Sequence, residues 1–530
     1  MMESFISQVF TTTAGQAFVV AFLPVVVILT LKPSKPNPHG APFPPGPPPR
    51  LLFGNLWDFP TVQPWLIYTQ WKKQYGDIVY GHAMGQHVII LNSLKAVTDL
   101  FEKRSHIYSD RPVLPMRDVL GWEFVLGLMY YGDTWRKNRR ILHQKYRPDA
   151  ALAHRPTQMK KVHELLRNIL AKPESFVDHY KYMAASIIMA TVYGYESAPK
   201  GDPFLDNADR AITIMTNSMF PGANIVNAMS FLKYLPSWFP GSQFHSEAQG
   251  CRSLTREMLD LPYDFVKKNM ADGVATPSLI SALLEENEKA KDPAEEVDTI
   301  KGLGATAFSA GADTVACAVG SFFHAAAANP QPRKKAQEEI IRVTGGDRLP
   351  TFEDRPSLPY VEAFYREVMR WRPSMPMGVA HTSTEDDIYE GYFIPKGSTI
   401  MSNIWAITRD EEKYPDPDSF NPDRFFTADG ELNEDNTILT FGFGRRLCIG
   451  RHAADASVWA TIVSVLAVFN FENEKDSHGN VIPIEGKYTD ALISHVIPFK
   501  CSIRPLYPEA VALIEATAME NSCDLRDDEL

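Results

Sequence analysis

The run from Gly302 to Ala328 (GLGATAFSAGADTVACAVGSFFHAAAA) carries a single charge, Asp313, over a length that could cross a bilayer. Its richness in Gly, Ala, Ser and Thr, with Asp313 at its middle where a charge in lipid is costly, argues against a membrane span. A long helix through the centre of a large domain, apolar all round, fits better. Such a helix needs a deep core to cover it, and 530 residues with 45% apolar and 22% charged side chains supply one without suggesting disorder or a many-spanning membrane protein. Short alternating patterns, GQHVIILN (Gly85 to Asn92) and DIYEGYFIPKGSTIMSN (Asp387 to Asn403), sit among many helical stretches. The predicted fold is mainly α with a smaller β portion, in one large domain over 51–506, because no second linker and no repeat interrupts it.

The ends read differently. Residues 1–31 form an N-terminal membrane anchor: no charge occurs from Ser4 to Leu31, there is no basic start or small-residue cleavage site, and Lys32 and Lys35 follow on the cytosolic side. Residues 32–50 are a Pro-rich linker, extended and semi-rigid, and 507–530 a C-terminal tail. The closing DDEL resembles a luminal retention signal, but a cytosolic body would keep it from a luminal receptor. The five cysteines are widely spaced with no CxxC pair, a reducing-compartment pattern, and a net charge of -11 speaks against general affinity for nucleic acid.

The chemistry concentrates in FGFGRRLCIGRHAAD, Phe441 to Asp455. A lone cysteine is usually a small buried hydrophobe. Here Gly442, Gly444 and Gly450 permit tight turns and close approach to a flat ligand, free backbone N–H groups near Cys448 would stabilise its thiolate, and Arg446 is placed to meet an anionic group. The stretch resembles the haem-binding signature F-x-x-G-x-R-x-C-x-G of the cytochromes P450, matched at Phe441, Gly444, Arg446, Cys448 and Gly450. The resemblance spans roughly 51–506 and implies a P450-type domain with haem b (iron protoporphyrin IX), Cys448 as axial iron ligand, Arg446 on a propionate and Phe441 over the proximal face.

The family's other landmarks occur in order. AGADT on the apolar run resembles its oxygen-binding groove: Ala310 and Gly311 would leave room for dioxygen, and Asp313 with Thr314 would relay protons. Alone, the motif reads equally as a small-residue helix contact. In YVEAFYREVMRWRP an apolar stripe (Val361, Phe364, Tyr365, Val368, Met369) leaves Glu367 and Arg370 on the other side; exposed, such a pair is worth only about 0.2 to 0.5 kcal/mol. With Arg424 in PDRF these resemble the family's structural Glu-Arg-Arg triad, although Asp423 stands where many members carry Glu. Trp135 and Arg139 in WRKNRR, otherwise a solvated basic helix, resemble the propionate-binding pair, and His381 matches a further propionate position.

Arg136, Lys137, Arg140, Lys145 and Arg147 form a local basic patch suited to steering an acidic electron donor. No Rossmann-type nucleotide fingerprint appears, so the chain is not expected to take hydride from NADPH itself; the family resemblance implies a separate NADPH-cytochrome P450 reductase, with cytochrome b5 as a second donor, on the endoplasmic reticulum membrane. By resemblance the pocket draws on Val113 to Leu128, Met215 to Phe239, Ala305 to Thr314, Met375 to Val379 and Ala491 to Ile493, mostly apolar segments that predict a lipophilic small molecule. FLKYLPSWFPG (Phe231 to Gly241) would form a membrane-touching lip. The pattern looks like fungal microsomal members that tailor secondary metabolites, with terpenoid hydroxylation as the expected reaction. Two alternatives stand beside it: a haem-thiolate isomerase or dehydratase that uses no dioxygen, which would leave Asp313, Thr314 and the basic helix without a task, and a non-catalytic haem- or sterol-binding membrane protein.

Overall fold

The structure, a computed structural model, describes residues 40–527 apart from 52, 84, 220–224, 229, 235–243 and 290–291. The anchor expected over 1–31 and most of the expected membrane-touching lip lie outside the described residues. Among those described, no helix is long and apolar enough to cross a membrane. That includes the apolar run, which is part of an interior helix.

The helices that enclose the centre are α1 (Asp133–Tyr146), α2 (Arg155–Ala171), α3 (Phe176–Tyr193), α4 (Pro293–Ala328), α5 (Pro330–Thr344), α6 (Pro359–Trp371) and α7 (Arg451–Val468). Helix α4 has 36 residues, so it spans about 54 Å. It starts with Pro293 in its first turn, where the missing N–H costs nothing, and stops at Asn329 before Pro330. Helices α3, α6 and α7 pack on it. Its small residues set that packing: a Cβ on Gly304 would fall 2.9 Å from the Tyr193 hydroxyl, and one on Gly320 would fall 2.9 Å from that of Tyr180, both on α3. Phe322, Phe323, Phe364 and Trp459 are fully buried in one apolar cluster between α4, α6 and α7.

A four-stranded sheet lies to one side, in the order β1 (Ile78–Ala83), β2 (Gln86–Leu91), β6 (Thr399–Ser402), β3 (His381–Thr382). β1 and β2 are antiparallel, β2 and β6 parallel, and β3 pairs antiparallel with β6 so that His381 faces Ile400. The hairpin of β4 (Asp387–Tyr389) and β5 (Tyr392–Ile394) and the pair β7 (Phe469–Glu472) and β8 (Ser502–Pro505) complete the β portion. Both predicted β segments are realised, at Gln86–Leu91 and within Asp387–Ser402.

Where they are described, both flanks of the domain pack against it. The described part of the linker does not run free. Pro42, Pro45 and Pro47 accept hydrogen bonds from Phe393 N (2.8 Å), Tyr80 N (2.9 Å) and Asn55 Nδ2 (2.9 Å), and Phe43 stacks on Tyr80 at 4.7 Å. Proline cannot donate to a sheet, but its carbonyl still accepts, so a Pro-rich strand can dock where it cannot pair fully. At the other end, Glu509–Asp527 forms a helix, α8, that packs on α2 with Ala510 and Ile514 fully buried.

Candidate active site

The cysteine loop is held by backbone. Cys448 N donates to Phe441 O at 2.9 Å, Arg451 reaches the Cys448 carbonyl at 3.2 Å, and Phe441 packs against the main core. Gly444 has φ +51°, and a Cβ there would meet the Phe101 carbonyl oxygen at 2.1 Å, so this position admits only glycine. Gly450 has φ −78° and its absent Cβ would touch nothing; the turn itself does not require glycine there. Gly444→Ala is expected to cost about 1–3 kcal/mol in backbone strain and to lower haem retention per protein, read from the reduced carbon monoxide difference spectrum, whereas Gly450→Ala should leave the protein's own packing intact.

Cys448 stands just before α7, so N–H groups of Gly450 and Arg451 point at its sulfur and, with the charges of Arg451 and Arg139, favour the thiolate. Burial works against them and dominates, raising the thiol pKa. The side chain nevertheless keeps accessible surface while protein surrounds it, which puts it on the wall of an interior space.

Beside it lies a set of buried and half-buried basic side chains. Trp135, 3% exposed, lies between two guanidiniums: Cζ of Arg446 is 4.4 Å and Cζ of Arg139 5.3 Å from its ring. Arg139 donates to Leu447 O at 2.8 Å. Arg446 donates to Ser109 O (2.8 Å) and Met129 O (2.9 Å), tying the cysteine loop to the 109–129 segment. Burial pushes its pKa down to about 10. His381 stacks on Phe101 at 3.9 Å, its Nδ1 lies 2.6 Å from Tyr108 O, and burial with Arg111 nearby holds its pKa well below the usual imidazole range. Arg111, absent from the sequence reading, donates to Gly127 O (2.7 Å), Val379 O (2.9 Å) and Ala380 O (2.7 Å). A lone Arg before a proline has no periodic signature; its partners lie up to 269 residues away.

On α4, Ala310 and Thr314 of the AGADT motif lie four apart and share a face that is less covered than its surroundings. Ala310 is exposed and Thr314 half-buried although Ser309, Ala312 and Val315 are buried, so that face also opens on an interior space. The Thr314 hydroxyl donates to Ala310 O at 2.7 Å. Gly311 differs from the expectation that it leaves room for dioxygen: its missing Cβ would lie 2.7 Å from Ile188 Cδ1, so it serves the contact with α3. Asp313 lies 2.9 Å from Nε2 of His495, a residue the sequence reading did not single out.

The pattern of one chain-wide family is matched over residues 44–492, that of the cytochrome P450 model. The chain belongs to the cytochrome P450 family. It is 38% identical to "Cytochrome P450 monooxygenase 98" of Postia placenta over 95% of this chain and 97% of that protein. It is 40% identical to "Cytochrome P450 monooxygenase 208" of the same fungus (90% and 92%), and 38% to "Cytochrome P450 monooxygenase COX2" of Coprinopsis cinerea (91% and 92%). This P450 is a monooxygenase with haem b as its cofactor. The residues present fit that group. An accessible thiol suits an iron ligand, and no protein atom lies within 4 Å of where a Cβ on Gly450 would stand. Arg111 and Arg446 repel one another while feeling one carboxylate, Asp110, so this basic pocket has room for anionic propionates.

The Glu-Arg-Arg residues are brought together, and not on the exposed helix face expected from the stripe. Glu367 and Arg370 are fully buried, joined by Arg370 Nε to Oε2 (2.6 Å) and Nη2 to Oε1 (2.8 Å). Oε1 also accepts from Asn421 N (2.7 Å) and Arg424 Nε (3.2 Å). The carboxylate thus fastens α6 to the 415–424 segment that precedes the cysteine loop. Asp423 pairs with Lys335 at the surface, outside this network. A cleft of about 450 Å³ lined by Gln63, Trp65, Arg372, Trp405, Tyr488 and Ser494 holds none of the residues assigned to the chemistry.

Proposed function

We propose that this P450 inserts one oxygen atom from O2 into a lipophilic small molecule, a terpenoid or similar secondary metabolite, with electrons from NADPH through a separate flavoprotein reductase. The observation that carries the reading is the accessible Cys448 thiol set before α7, with Arg139 and Arg446 on the Trp135 ring beside its loop. When bound, haem would supply activation of dioxygen, tuned by the Cys448 thiolate. Cys448 would hold the iron; Arg446, Arg139, Trp135 and His381, with Arg111 added, would meet the propionates; Glu367, Arg370 and Arg424 keep the loop in place. Asp313 and Thr314 move protons inward from the α4 face.

The substrate class rests on the second apolar cluster, where Leu126, Ala305, Phe308 and Ala312 pack with Val379 and Ile449 at its edge. Thr306 accepts from Leu126 N (3.4 Å) and donates to Phe124 O (3.2 Å), clipping the 115–128 segment to α4. A pocket with so few polar groups selects by shape. The N-terminal segment anchors the chain in the endoplasmic reticulum membrane with its body cytosolic, and the basic face of α1 receives the donor. There Arg140 and Arg147 stay exposed while Lys137 and Lys145 pair with Glu296 and Glu286.

Microsomes containing this protein and a reductase, given a panel of sesquiterpene hydrocarbons and alcohols, are expected to form hydroxylated products only with both NADPH and O2. Conversion without O2 would establish an isomerase or dehydratase instead, and haem binding without any turnover a binding protein. Thr314→Ala should keep the haem spectrum but send several-fold more of the NADPH electrons to hydrogen peroxide; unchanged coupling would remove Thr314 from the proton route.

A further inference from the structure

Among the described residues, His495 is the one basic side chain within ion-pair distance of the Asp313 carboxylate, its Nε2 lying 2.9 Å from Oδ1. The two residues are far apart in the chain, one on α4 and the other in the turn over 489–495. Both side chains keep partial exposure, 22% for His495 and 30% for Asp313, while Ala312, Val315 and Ala316 around Asp313 on α4 are buried. The contact therefore lies off the fully packed side of the helix.

The turn that presents His495 is closed on itself and pinned from two directions. Thr489 N donates to His495 O (2.7 Å), His495 N donates to Thr489 Oγ1 (2.9 Å), and Ser494 Oγ donates to Thr489 O (2.9 Å). Ser494 N donates to Ser374 O (2.9 Å), three residues past α6. Cys317 Sγ donates to Ser494 O at 3.2 Å. Cys317 follows Asp313 by four positions, so the two share one face of α4 and meet adjacent residues of the same turn. Two-point attachment leaves the imidazole little freedom to leave the carboxylate. Thr314 offers Asp313 no hold, because its hydroxyl is turned back to Ala310 O.

We propose that His495 is a positioning residue for Asp313: it fixes the carboxylate in the orientation from which Asp313 and Thr314 deliver protons. An aspartate without such a partner samples a broad range about its terminal torsion, and that freedom must be lost whenever the proton path forms. The inference rests on the assignment of Asp313 to that path.

The test compares Asp313→Asn, His495→Ala and His495→Gln in the purified protein with reductase, using two readouts. One is the infrared C–O stretch of the carbon monoxide adduct, which senses polar groups near the bound gas; the other is the fraction of NADPH electrons recovered as hydrogen peroxide with no organic substrate added. His495→Ala should shift the stretch in the same direction as Asp313→Asn and raise the peroxide fraction several-fold. His495→Gln keeps an N–H donor at similar reach and should stay close to the native protein. A merely structural role for the turn would lower the thermal midpoint of His495→Ala and leave both readouts at native values, which would overturn the proposal, as would a folded His495→Gln that behaves like the alanine variant. If Asp313→Asn moves the readouts and His495→Ala does not, only the role of His495 falls. If Asp313→Asn itself changes neither, the proton-path assignment falls and this inference with it.

Discussion

Cys448→Ala is expected to abolish the thiolate-type Soret band of the reduced carbon monoxide complex and all O2-dependent turnover, while the polypeptide still folds. The reasoning separates the side chain from the backbone. The hydrogen bonds that hold the loop use Cys448 N and O, both of which alanine retains, and the thiol points to open space instead of core. Losing the sulfur therefore removes the iron ligand without creating a packed-side cavity. Cys501→Ala is the control: that residue is buried in the main core and has no place in the site, so it should cost stability and keep the band. A thiolate-type spectrum surviving in Cys448→Ala would refute the ligand assignment.

Glu367→Gln should be the most damaging single change to the fold. Its carboxylate accepts from Arg370, Arg424 and Asn421 N with no exposure to water, so neutralising it strands two guanidiniums that have been removed from solvent. Breaking a buried pair from one side costs about 3–5 kcal/mol, against about 5–15 kcal/mol for the whole stability of an ordinary domain. Little soluble haem-loaded protein is expected, seen as a collapsed ratio of Soret to protein absorbance and a lower guanidinium midpoint. Replacing both partners, Glu367→Leu with Arg370→Met, should recover part of the loss, because apolar groups of similar volume leave one fewer unpaired charge. A Glu367→Gln protein within about 1 kcal/mol of native stability would show that the network does not hold the loop.

Much of this site could be read before any coordinates, and the reason is locality. The cysteine loop, AGADT, the Glu367–Arg370 spacing and the Trp135–Arg139 spacing are each short segments whose members are neighbours in the chain, so a spacing is also a geometry. Arg111 and His495 escaped because each acts across a gap of more than 100 residues, on Val379 and Ala380 in one case and on Asp313 in the other. Glu367 and Arg370 were legible as a pair but not as a buried one: the apolar stripe of α6 implies a solvent side, and only the segment folded over that side removes the water. Gly311 shows the same limit, since spacing cannot say whether a missing side chain admits a ligand or a neighbouring helix.

What the chain's order of residues determines alone is the set of elements: a long small-residue helix, a glycine-bearing cysteine turn before another helix, and β segments of alternating pattern. These follow from steric and periodic rules acting over a few residues. Tertiary structure decided which polar groups lose their water and which partner each then finds. The thiol's interior exposure, the crowding of Arg111 with Arg446 and the meeting of Asp313 with His495 are such outcomes. Desolvation depends on everything packed around a group, and no local window contains that information.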